Sequence, residues 1–204
     1  ANGLRSYFRF LQLHGECDEG LILSVPSPVN PRLATVPQIL TDGEIRRLLA
    51  AFDIKTAVGR RDYAITRCLF DLALRPLEVA KLRLEDIDWR KGTIRIAGNK
   101  CRRDDQLPLT PALGKALVTY LRHVRGHTSE RFVFLHLRAP LGQPIVRQTV
   151  SGVVRRAAIR VGIPKNIAAR TLRQTAATRM LRHGASIKEV ADVLRHRDLD
   201  TTRI

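Results

Sequence analysis

The segments TLRQTAATRMLR, residues 171–182, and SIKEVADVL, residues 186–194, fix how the last quarter of this chain folds. Both have the composition and apolar spacing of short helices. Gly184 can end the first helix, and the pair Ser186 and Glu189 is the capping-box pattern that begins the second. The sequence therefore predicts two consecutive helices with a tight turn between them.

A second informative segment, Arg75-Pro76-Leu77-Glu78, lies upstream of these helices. Proline is favoured at the first position of a helix, so Pro76 predicts a short helix with Arg75 at its entrance. Arg173 lies in the first C-terminal helix, and His196 follows it by 23 residues. We expect the fold to bring Arg75, Arg173 and His196 together.

The charge of the chain favours a polyanionic partner. Its 204 residues include 36 Lys and Arg against 19 Asp and Glu, a formal net charge of +17. Residues 151–204 hold 12 basic and 4 acidic residues, so 8 of these charges lie near Arg173 and His196. Such a surface binds nucleic acid through phosphate contacts and counterion release. Ribosomal proteins, heparin binders and membrane-surface proteins are also basic, so charge alone does not choose among them.

Several other classes of protein and site are disfavoured. No stretch reaches the roughly 18 apolar residues of a transmembrane helix, and no secretion leader opens the chain, so we expect a cytoplasmic protein with no membrane partner. Cys17, Cys68 and Cys101 are widely spaced and include no Cys-x-x-Cys pair, which indicates reduced thiols. His123 and His127 are four residues apart, but no Cys, Asp or Glu cluster accompanies them in sequence. We therefore expect no metal ion.

The N-terminal part divides into a helix and a linker. Residues 4–13 have helical apolar spacing, which Gly15 can end. Four prolines follow before residue 38 and predict an extended linker at residues 26–38. We expect the main domain to occupy residues 39–204 and residues 1–25 to belong to a different domain.

Within the main domain the pattern is mostly helical. Thr93–Ile96 alternates like a strand, turn residues occupy 98–100, and residues 106–109 can return as the partner strand of a hairpin with a basic tip. Residues 131–135 can add a short strand. Helices are predicted from residue 41, at 60–73, from 76, and at 110–124, 147–161, 171–182 and 186–194. The expected fold class is mainly α with a small antiparallel β-sheet, or α+β.

The arginines suit phosphate chemistry. Cleaving a phosphodiester without a metal needs a nucleophile, cationic donors for the non-bridging oxygens, and an acid for the departing 5′ oxygen. The planar fork of arginine grips two phosphate oxygens and stays charged at any working pH. Arg75, Arg173 and His196 are therefore candidates for a phosphate site. The alternative for Arg75 is an ordinary ion pair with Glu78.

Several motifs, in order and with matching internal spacing, resemble those of the tyrosine recombinases, the phage integrase family. The similarity runs from about Ile39 to the last residue, and residues 1–25 resemble the final helix of the family's N-terminal core-binding domain. The first conserved box is matched by residues 74–82 and 86–87, and the second by residues 171–175, 184–187, 194–199 and 201–202.

The resemblance implies a role for each candidate residue. Arg75 and Arg173 would clamp the scissile phosphate and stabilise the pentacoordinate transition state. Lys100, at the hairpin turn, would donate a proton to the leaving 5′ hydroxyl. The alternative for Lys100 is a solvated hairpin tip. His196 would hydrogen-bond the phosphate or assist proton transfer.

Two positions depart from the family pattern. Arg170 stands where the family usually has His or Lys, three residues before the second arginine. A guanidinium can bind phosphate there but cannot act as a base near neutral pH, and DNA-backbone binding or plain solvation are its alternatives. The nucleophilic tyrosine of the family would fall immediately after Ile204, since it lies nine residues beyond His196. Tyr7, Tyr63 and Tyr120, the tyrosines of this sequence, do not match that motif.

The resemblance implies a site-specific DNA recombinase of phage or transposon type that works through a 3′-phosphotyrosine intermediate. It would act on double-stranded DNA as a homotetramer on paired sites, without a cofactor, in the bacterial or phage cytoplasm near the nucleoid. This chain, lacking the tyrosine, would be inactive by itself. Two alternatives stay open: a recombinase-like DNA-binding protein without cleavage activity, and a type IB topoisomerase.

Overall fold

The protein consists of two compact units, Ala1–Val36 and Pro37–Ile204. The computed structural model describes residues 2–25, 38–97, 104–163 and 167–195. The predicted linker at residues 26–38 lies almost wholly outside these ranges. The assignment of residues 1–25 to a core-binding domain stays a prediction.

The described part of the first unit, residues 2–25, contains two helices. α1 (Asn2–Leu13) covers the predicted helix at residues 4–13, and α2 (Glu19–Ser24) was not predicted. Gly15 follows α1 with a φ of +71°, the left-handed conformation in which glycine commonly ends a helix. The backbone of the unit is tied together where Nη2 of Arg5 donates to the carbonyl oxygen of Val25 at 2.7 Å.

The second unit is mainly helical, and every predicted helix is present with its ends shifted by a few residues. A π-helical turn over Leu121–Arg125 continues one of them, so that helix reaches the predicted end near residue 124. The helices are α3 (Asp42–Ala50), α4 (Ala57–Asp71), α5 (Pro76–Lys81), α6 (Pro111–Tyr120), α7 (Arg147–Arg160), α8 (Ala169–Arg182) and α9 (Ile187–Leu194).

Two of these helices begin with a capping box, which the sequence shows as Thr41 with Glu44 and as Ser186 with Glu189. At α3, Glu44 N donates to Thr41 Oγ1 at 3.2 Å, and Thr41 N donates back to Glu44 Oε2 at 2.8 Å. At α9, Glu189 N and Ser186 N form the same reciprocal pair, at 3.2 Å and 2.7 Å. Because each box satisfies amide groups that have no partner within the helix, it fixes the residue at which the helix begins.

A three-stranded antiparallel sheet in the order β1-β2-β3 packs beside the helices. It consists of β1 (Ile87–Asp88), β2 (Thr93–Ile96) and β3 (Asp105–Pro108). Ile94 pairs with both Ile87 and Leu107 in register, and all three side chains point into the core. The predicted hairpin is therefore present, with β1 as an additional strand, and its turn lies outside the described residues.

The predicted strand at residues 131–135 is wrong. Residues in this stretch make only isolated bridges, Arg83 with Phe132 and Leu135 with Pro144. The segment nevertheless contributes to the core, because Phe134 is fully buried and stacks on Tyr120 with 5.4 Å between ring centroids. The apolar residues of this segment reflect its burial in the core. They do not indicate a strand, because the segment has no continuous partner strand.

The main core surrounds α4, whose residues Ile65, Cys68 and Leu69 are fully buried. α4 packs against α5, α6, α7 and α8, so it is the central helix of the unit. A smaller apolar cluster lies where the end of α4 meets α8 and α9. Its buried members are Ala73, Ala176, Ala177, Val190 and Leu194. This second cluster supports the residues described in the next section.

The expected fold class is confirmed, since the second unit is mainly helical with one small antiparallel sheet. In the part of the chain that the structure describes, no helix combines the length and the apolar character that crossing a membrane requires.

Candidate active site

Arg75 lies immediately before α5, where Pro76 occupies the first turn. Its backbone amide donates to Glu78 Oε2 at 2.7 Å, and its Nη1 donates to Glu78 Oε1 at 2.8 Å. The ion pair considered as an alternative for Arg75 is thus present. The Arg75 side chain is nevertheless 41% exposed, so an anion from solvent can reach its guanidinium.

Arg173 lies in α8 and is only 9% exposed. Its Nη1 donates to the carbonyl oxygen of Ala73, and its Nη2 donates to the carbonyl oxygen of Leu194. These two acceptors belong to the segment before α5 and to the end of α9. Arg173 therefore joins the three elements around the smaller apolar cluster.

Arg75 and Arg173 meet at one backbone oxygen. Nη2 of Arg75 lies 3.4 Å from the carbonyl oxygen of Leu194, the same atom to which Arg173 donates. Nη2 of Arg75 also donates to the carbonyl oxygen of Arg195 at 3.1 Å. Two guanidinium groups that are 98 positions apart in the sequence (75 and 173) are therefore adjacent in the fold.

A third guanidinium completes this group. Arg195 donates from Nη2 to Glu78 Oε2 at 2.6 Å, and its side chain is 3% exposed. We call Arg75, Arg173, Arg195 and Glu78 the arginine cluster. The arginine cluster contains three cations and one carboxylate, so its net charge is +2, which suits an anionic ligand.

The carboxyl of Glu78 is held in its charged form. Burial alone would raise its pKa, but the Arg195 guanidinium, followed by the amide and guanidinium of Arg75, lowers the pKa below its ordinary value. Glu78 thus accepts hydrogen bonds from two of the three arginines. It links α5 to Arg195, the residue that follows α9.

Two residues of this region have a left-handed backbone conformation. Ala73 has a φ of +48° and Arg195 a φ of +53°, and among the described residues these are the two non-glycine residues with a positive φ. Such conformations are disfavoured for residues with a Cβ and tend to cluster at functional sites. Both residues use their carbonyl oxygens to accept from the cluster, Ala73 from Arg173 and Arg195 from Arg75.

The remaining predicted site residues are only partly placed. Arg170 lies near the start of α8, one turn before Arg173, and is exposed. Lys100 and His196 lie outside the described residues. The structure thus brings Arg75 and Arg173 together, puts Arg170 on the adjacent turn, and leaves the roles of all five residues as predictions.

That none of the three tyrosines of the sequence is the nucleophile stays a prediction, and the structure gives the surroundings of each one. Tyr120 is fully buried, and its Oη accepts a hydrogen bond from the amide of Leu135 at 3.2 Å. Burial raises the pKa of Tyr120, so its hydroxyl loses a proton less readily. Tyr63 packs edge-on against Phe52 with 6.4 Å between ring centroids, and Tyr7 belongs to α1 in the first unit.

The other candidates for chemistry carry no site in the described ranges. No group of three or more His, Cys, Asp or Glu side chains there could hold a metal ion. Cys17 and Cys68 are free thiols, and Cys101 lies outside the described residues. Burial raises the pKa of Cys68 far above its ordinary value, so this thiol is unreactive.

The sequence did not predict that the carbonyl oxygens of Ala73 and Leu194 and both the side chain and the carbonyl oxygen of Arg195 would belong to this site. Arg195 lies within residues 194–199 of the second conserved box, and its position one residue before His196 was the one available signal. No pattern in the sequence marks Ala73, because its contribution is a backbone oxygen.

Comparison with known proteins identifies the family. Residues 38–204 match the sequence profile of the phage integrase family. The Sinorhizobium fredii protein y4rA is 36% identical over 202 residues, which cover 98% of this chain and 49% of y4rA. The tyrosine recombinase XerD of Listeria innocua is 30% identical over 206 residues, covering 98% of this chain and 67% of XerD. The chain thus spans about half the length of y4rA and two thirds of XerD.

The fold also agrees with a solved structure. The Tn1549 transposon integrase in complex with a circular intermediate DNA superposes with a TM-score of 0.78 and 15% identity, covering 95% of this chain and 69% of that one. This likeness concerns the fold alone, and it agrees with the expected mainly helical fold with a small antiparallel sheet. Because the family profile matches all but the first 37 residues, and a tyrosine recombinase is 30% identical over two thirds of its own length, this chain belongs to the phage integrase family of tyrosine recombinases.

Proposed function

We propose that the protein to which this chain belongs is a site-specific DNA recombinase that cleaves and rejoins strands through a 3′-phosphotyrosine intermediate. The observation that carries the proposal is the meeting of Arg75 and Arg173 at the carbonyl oxygen of Leu194. Both are rigid, permanently charged forks, and the segment that presents this oxygen leads directly to His196.

Arg75 and Arg173 would bind the two non-bridging oxygens of the scissile phosphate. The backbone oxygens of Ala73, Leu194 and Arg195 hold the guanidinium groups in place before DNA arrives. Donors that are positioned in advance stabilise the charge of the pentacoordinate transition state without reorganising during the reaction. The exposed Arg75 would meet the phosphate from solvent, with the buried Arg173 behind it.

The other predicted residues would handle protons and further phosphate contacts. Lys100 would give a proton to the departing 5′ oxygen, and His196 would hydrogen-bond the phosphate or assist proton transfer. Arg170, exposed one turn before Arg173, would contribute a phosphate contact without acting as a base.

The proposed chemistry exchanges one ester for another. A tyrosine hydroxyl attacks the phosphorus, its proton is removed, and the bond to the 5′ oxygen breaks as that oxygen takes up a proton. A free 5′ hydroxyl of the partner strand then attacks the phosphotyrosine, which restores the phosphodiester and releases the tyrosine. Because the phosphotyrosine retains the energy of the broken ester, the exchange needs no ATP.

Double-stranded DNA is the proposed substrate, and a homotetramer on two paired sites is the proposed assembly. The net charge of +17 supports the first of these, since basic side chains gain affinity by releasing counterions from phosphates. We also propose that the protein works in the cytoplasm at the nucleoid, where such DNA lies.

The experiment is covalent trapping by the full-length protein on a nicked suicide substrate. We expect the residue after Ile204 to be tyrosine and to carry the 3′-phosphate of the trapped strand, as peptide mapping would show. DNA binding should weaken steeply as salt rises. Tight, salt-dependent binding with no covalent product would overturn the proposal and favour the recombinase-like DNA-binding protein instead.

A further inference from the structure

We propose that Arg195 is a positioning residue of the arginine cluster, which holds Glu78 in place so that Arg75 and the end of α9 keep the geometry required for cleavage. The inference rests on the proposed function, because cleavage is the process it would influence. It concerns a residue that touches neither of the phosphate oxygens assigned to Arg75 and Arg173.

The side chain of Arg195 connects two segments that are distant in sequence, α5 and the end of α9. Its Nη2 donates to Glu78 Oε2 at 2.6 Å, and its Nη1 donates to the carbonyl oxygen of Val193 at 3.1 Å. The first contact spans 117 residues of sequence, and the second anchors the side chain to its own helix end. The Glu78 side chain is 17% exposed, so little solvent weakens this ion pair.

The backbone of Arg195 argues that its side chain has a specific use. Arg195 ends α9 with φ +53° and ψ +46°, and its amide donates to the carbonyl oxygen of Asp192 at 2.9 Å. Glycine adopts this left-handed conformation readily, whereas a residue with a Cβ does so at an energetic cost. An arginine here offsets that cost through contacts that glycine cannot make, and the pair with Glu78 is the strongest of those described above.

The position of Arg195 connects this pair to the chemistry. Its carbonyl oxygen accepts from Arg75 Nη2 at 3.1 Å, and the same carbonyl group belongs to the peptide bond that joins Arg195 to His196. Glu78 accepts from the Arg75 guanidinium at Oε1, and at Oε2 it accepts from both the Arg75 amide and the Arg195 guanidinium. Arg195 and Arg75 are thus linked in two ways. Both guanidinium groups bind the Glu78 carboxylate, and Arg75 donates to the carbonyl oxygen of Arg195.

Removing the Arg195 side chain should therefore disturb Arg75 without unfolding the protein. In Arg195→Gly the left-handed backbone conformation becomes easier to adopt. The Glu78 carboxylate, which is only 17% exposed, loses one of its charged hydrogen-bond donors. Glu78 would then compete more strongly for the Arg75 guanidinium, which is the group that has to reach phosphate. The expected loss lies in the cleavage step and not in the affinity for DNA, which depends on many phosphate contacts.

The experiment compares full-length wild type, Arg195→Gly and Arg195→Lys on a suicide substrate. The rate of covalent trapping is measured at saturating DNA, and the dissociation constant is measured separately by fluorescence anisotropy. We expect Arg195→Gly to trap DNA at least about tenfold more slowly with nearly unchanged affinity, and Arg195→Lys to recover part of the rate. The matched control is Arg182→Gly, which removes an exposed arginine from the end of α8 and should keep the wild-type trapping rate.

A double-mutant cycle with Glu78→Gln tests the pairing directly. If Arg195 acts through Glu78, the two substitutions together slow trapping by clearly less than the product of their separate effects. Should Arg195→Gly fail to fold, the cycle with Arg195→Lys gives the same information. A folded Arg195→Gly with the wild-type rate, or independent effects in the cycle, would overturn the positioning role. Absence of trapping by the wild type would instead contradict the proposed function itself.

Discussion

Nη1 of Arg173 donates a hydrogen bond to the carbonyl oxygen of Ala73, a residue with a left-handed backbone that lies two positions before Arg75. The contact crosses 100 residues of sequence and is buried. It ties α8 to the entrance of α5, so the two arginines of the site are located by the same short stretch of backbone.

Replacing Arg173 should separate cleavage from binding. In the full-length protein, Arg173→Ala removes one fork from the phosphate and leaves the surface arginines unchanged. We expect covalent trapping of a suicide substrate to fall by at least about 10²-fold, with DNA affinity in a gel-shift assay largely retained. Arg182→Ala, an exposed change in the same helix, is the control. Normal cleavage by Arg173→Ala would exclude Arg173 from the active site.

The charged state of Glu78 should make stability depend on pH. Its folded pKa lies below its ordinary value of 4.5, so the unfolded chain binds the proton more tightly. The stabilisation is therefore complete above that ordinary value and is lost as the pH falls through the folded pKa. Free energies of unfolding from urea titrations between about pH 6 and pH 3 should decline less steeply in Glu78→Gln than in wild type. Parallel pH profiles for the two proteins would argue against the ion pairs of Glu78.

Gly59 in the first turn of α4 should not tolerate a side chain. A Cβ at this position would overlap the backbone carbonyl of Asp53, while the Gly59 amide caps the helix by donating to Thr56 Oγ1 at 3.0 Å. We expect Gly59→Ala to lower the free energy of unfolding by about 1–3 kcal/mol. Gly43→Ala is the control, because a Cβ there meets nothing within 4 Å. It should be neutral or stabilise α3 by about 0.5–1 kcal/mol, and equal effects of the two substitutions in thermal unfolding would contradict this account.

Tyr120 should matter for folding and not for chemistry. In Tyr120→Phe the amide of Leu135 loses its acceptor, which we expect to lower the free energy of unfolding by about 1–3 kcal/mol. Covalent trapping by the folded full-length variant should be unchanged. Tyr7→Phe, at an exposed position of α1, should alter neither property. Loss of the covalent product in a folded Tyr120→Phe protein would identify Tyr120 as the nucleophile and refute its structural role.

Much of the fold could be predicted because local signals decide it. The capping boxes at Thr41 and Ser186 fixed the starts of α3 and α9, and Pro76 fixed the start of α5. The strand β2 was recognisable from its alternation. β1, with two residues, is too short to show any period, and its partner is chosen by tertiary packing. The same packing buried Val133, Phe134 and Leu135 without extending them into a strand.

Only the side chains of the candidate site could be inferred from the sequence, and its backbone contacts could not. Spacing and motif resemblance indicated Arg75 and Arg173 because guanidinium groups have a recognisable use. The acceptors that bring them together are backbone oxygens of Ala73, Leu194 and Arg195, and every residue type has such an oxygen. The left-handed φ of Arg195 is likewise invisible in a sequence in which glycine would be the expected residue.

Because the oxygen shared by Arg75 and Arg173 comes from the main chain at Leu194, the length of α9 decides where that oxygen lies. α9 is measured from the fixed start at Ser186, and adding or deleting one residue turns its last carbonyl by about 100°. Natural variation along this segment should therefore favour exchanges of residues over insertions and deletions. The number of residues in α9 thus determines whether its last carbonyl oxygen reaches both arginines.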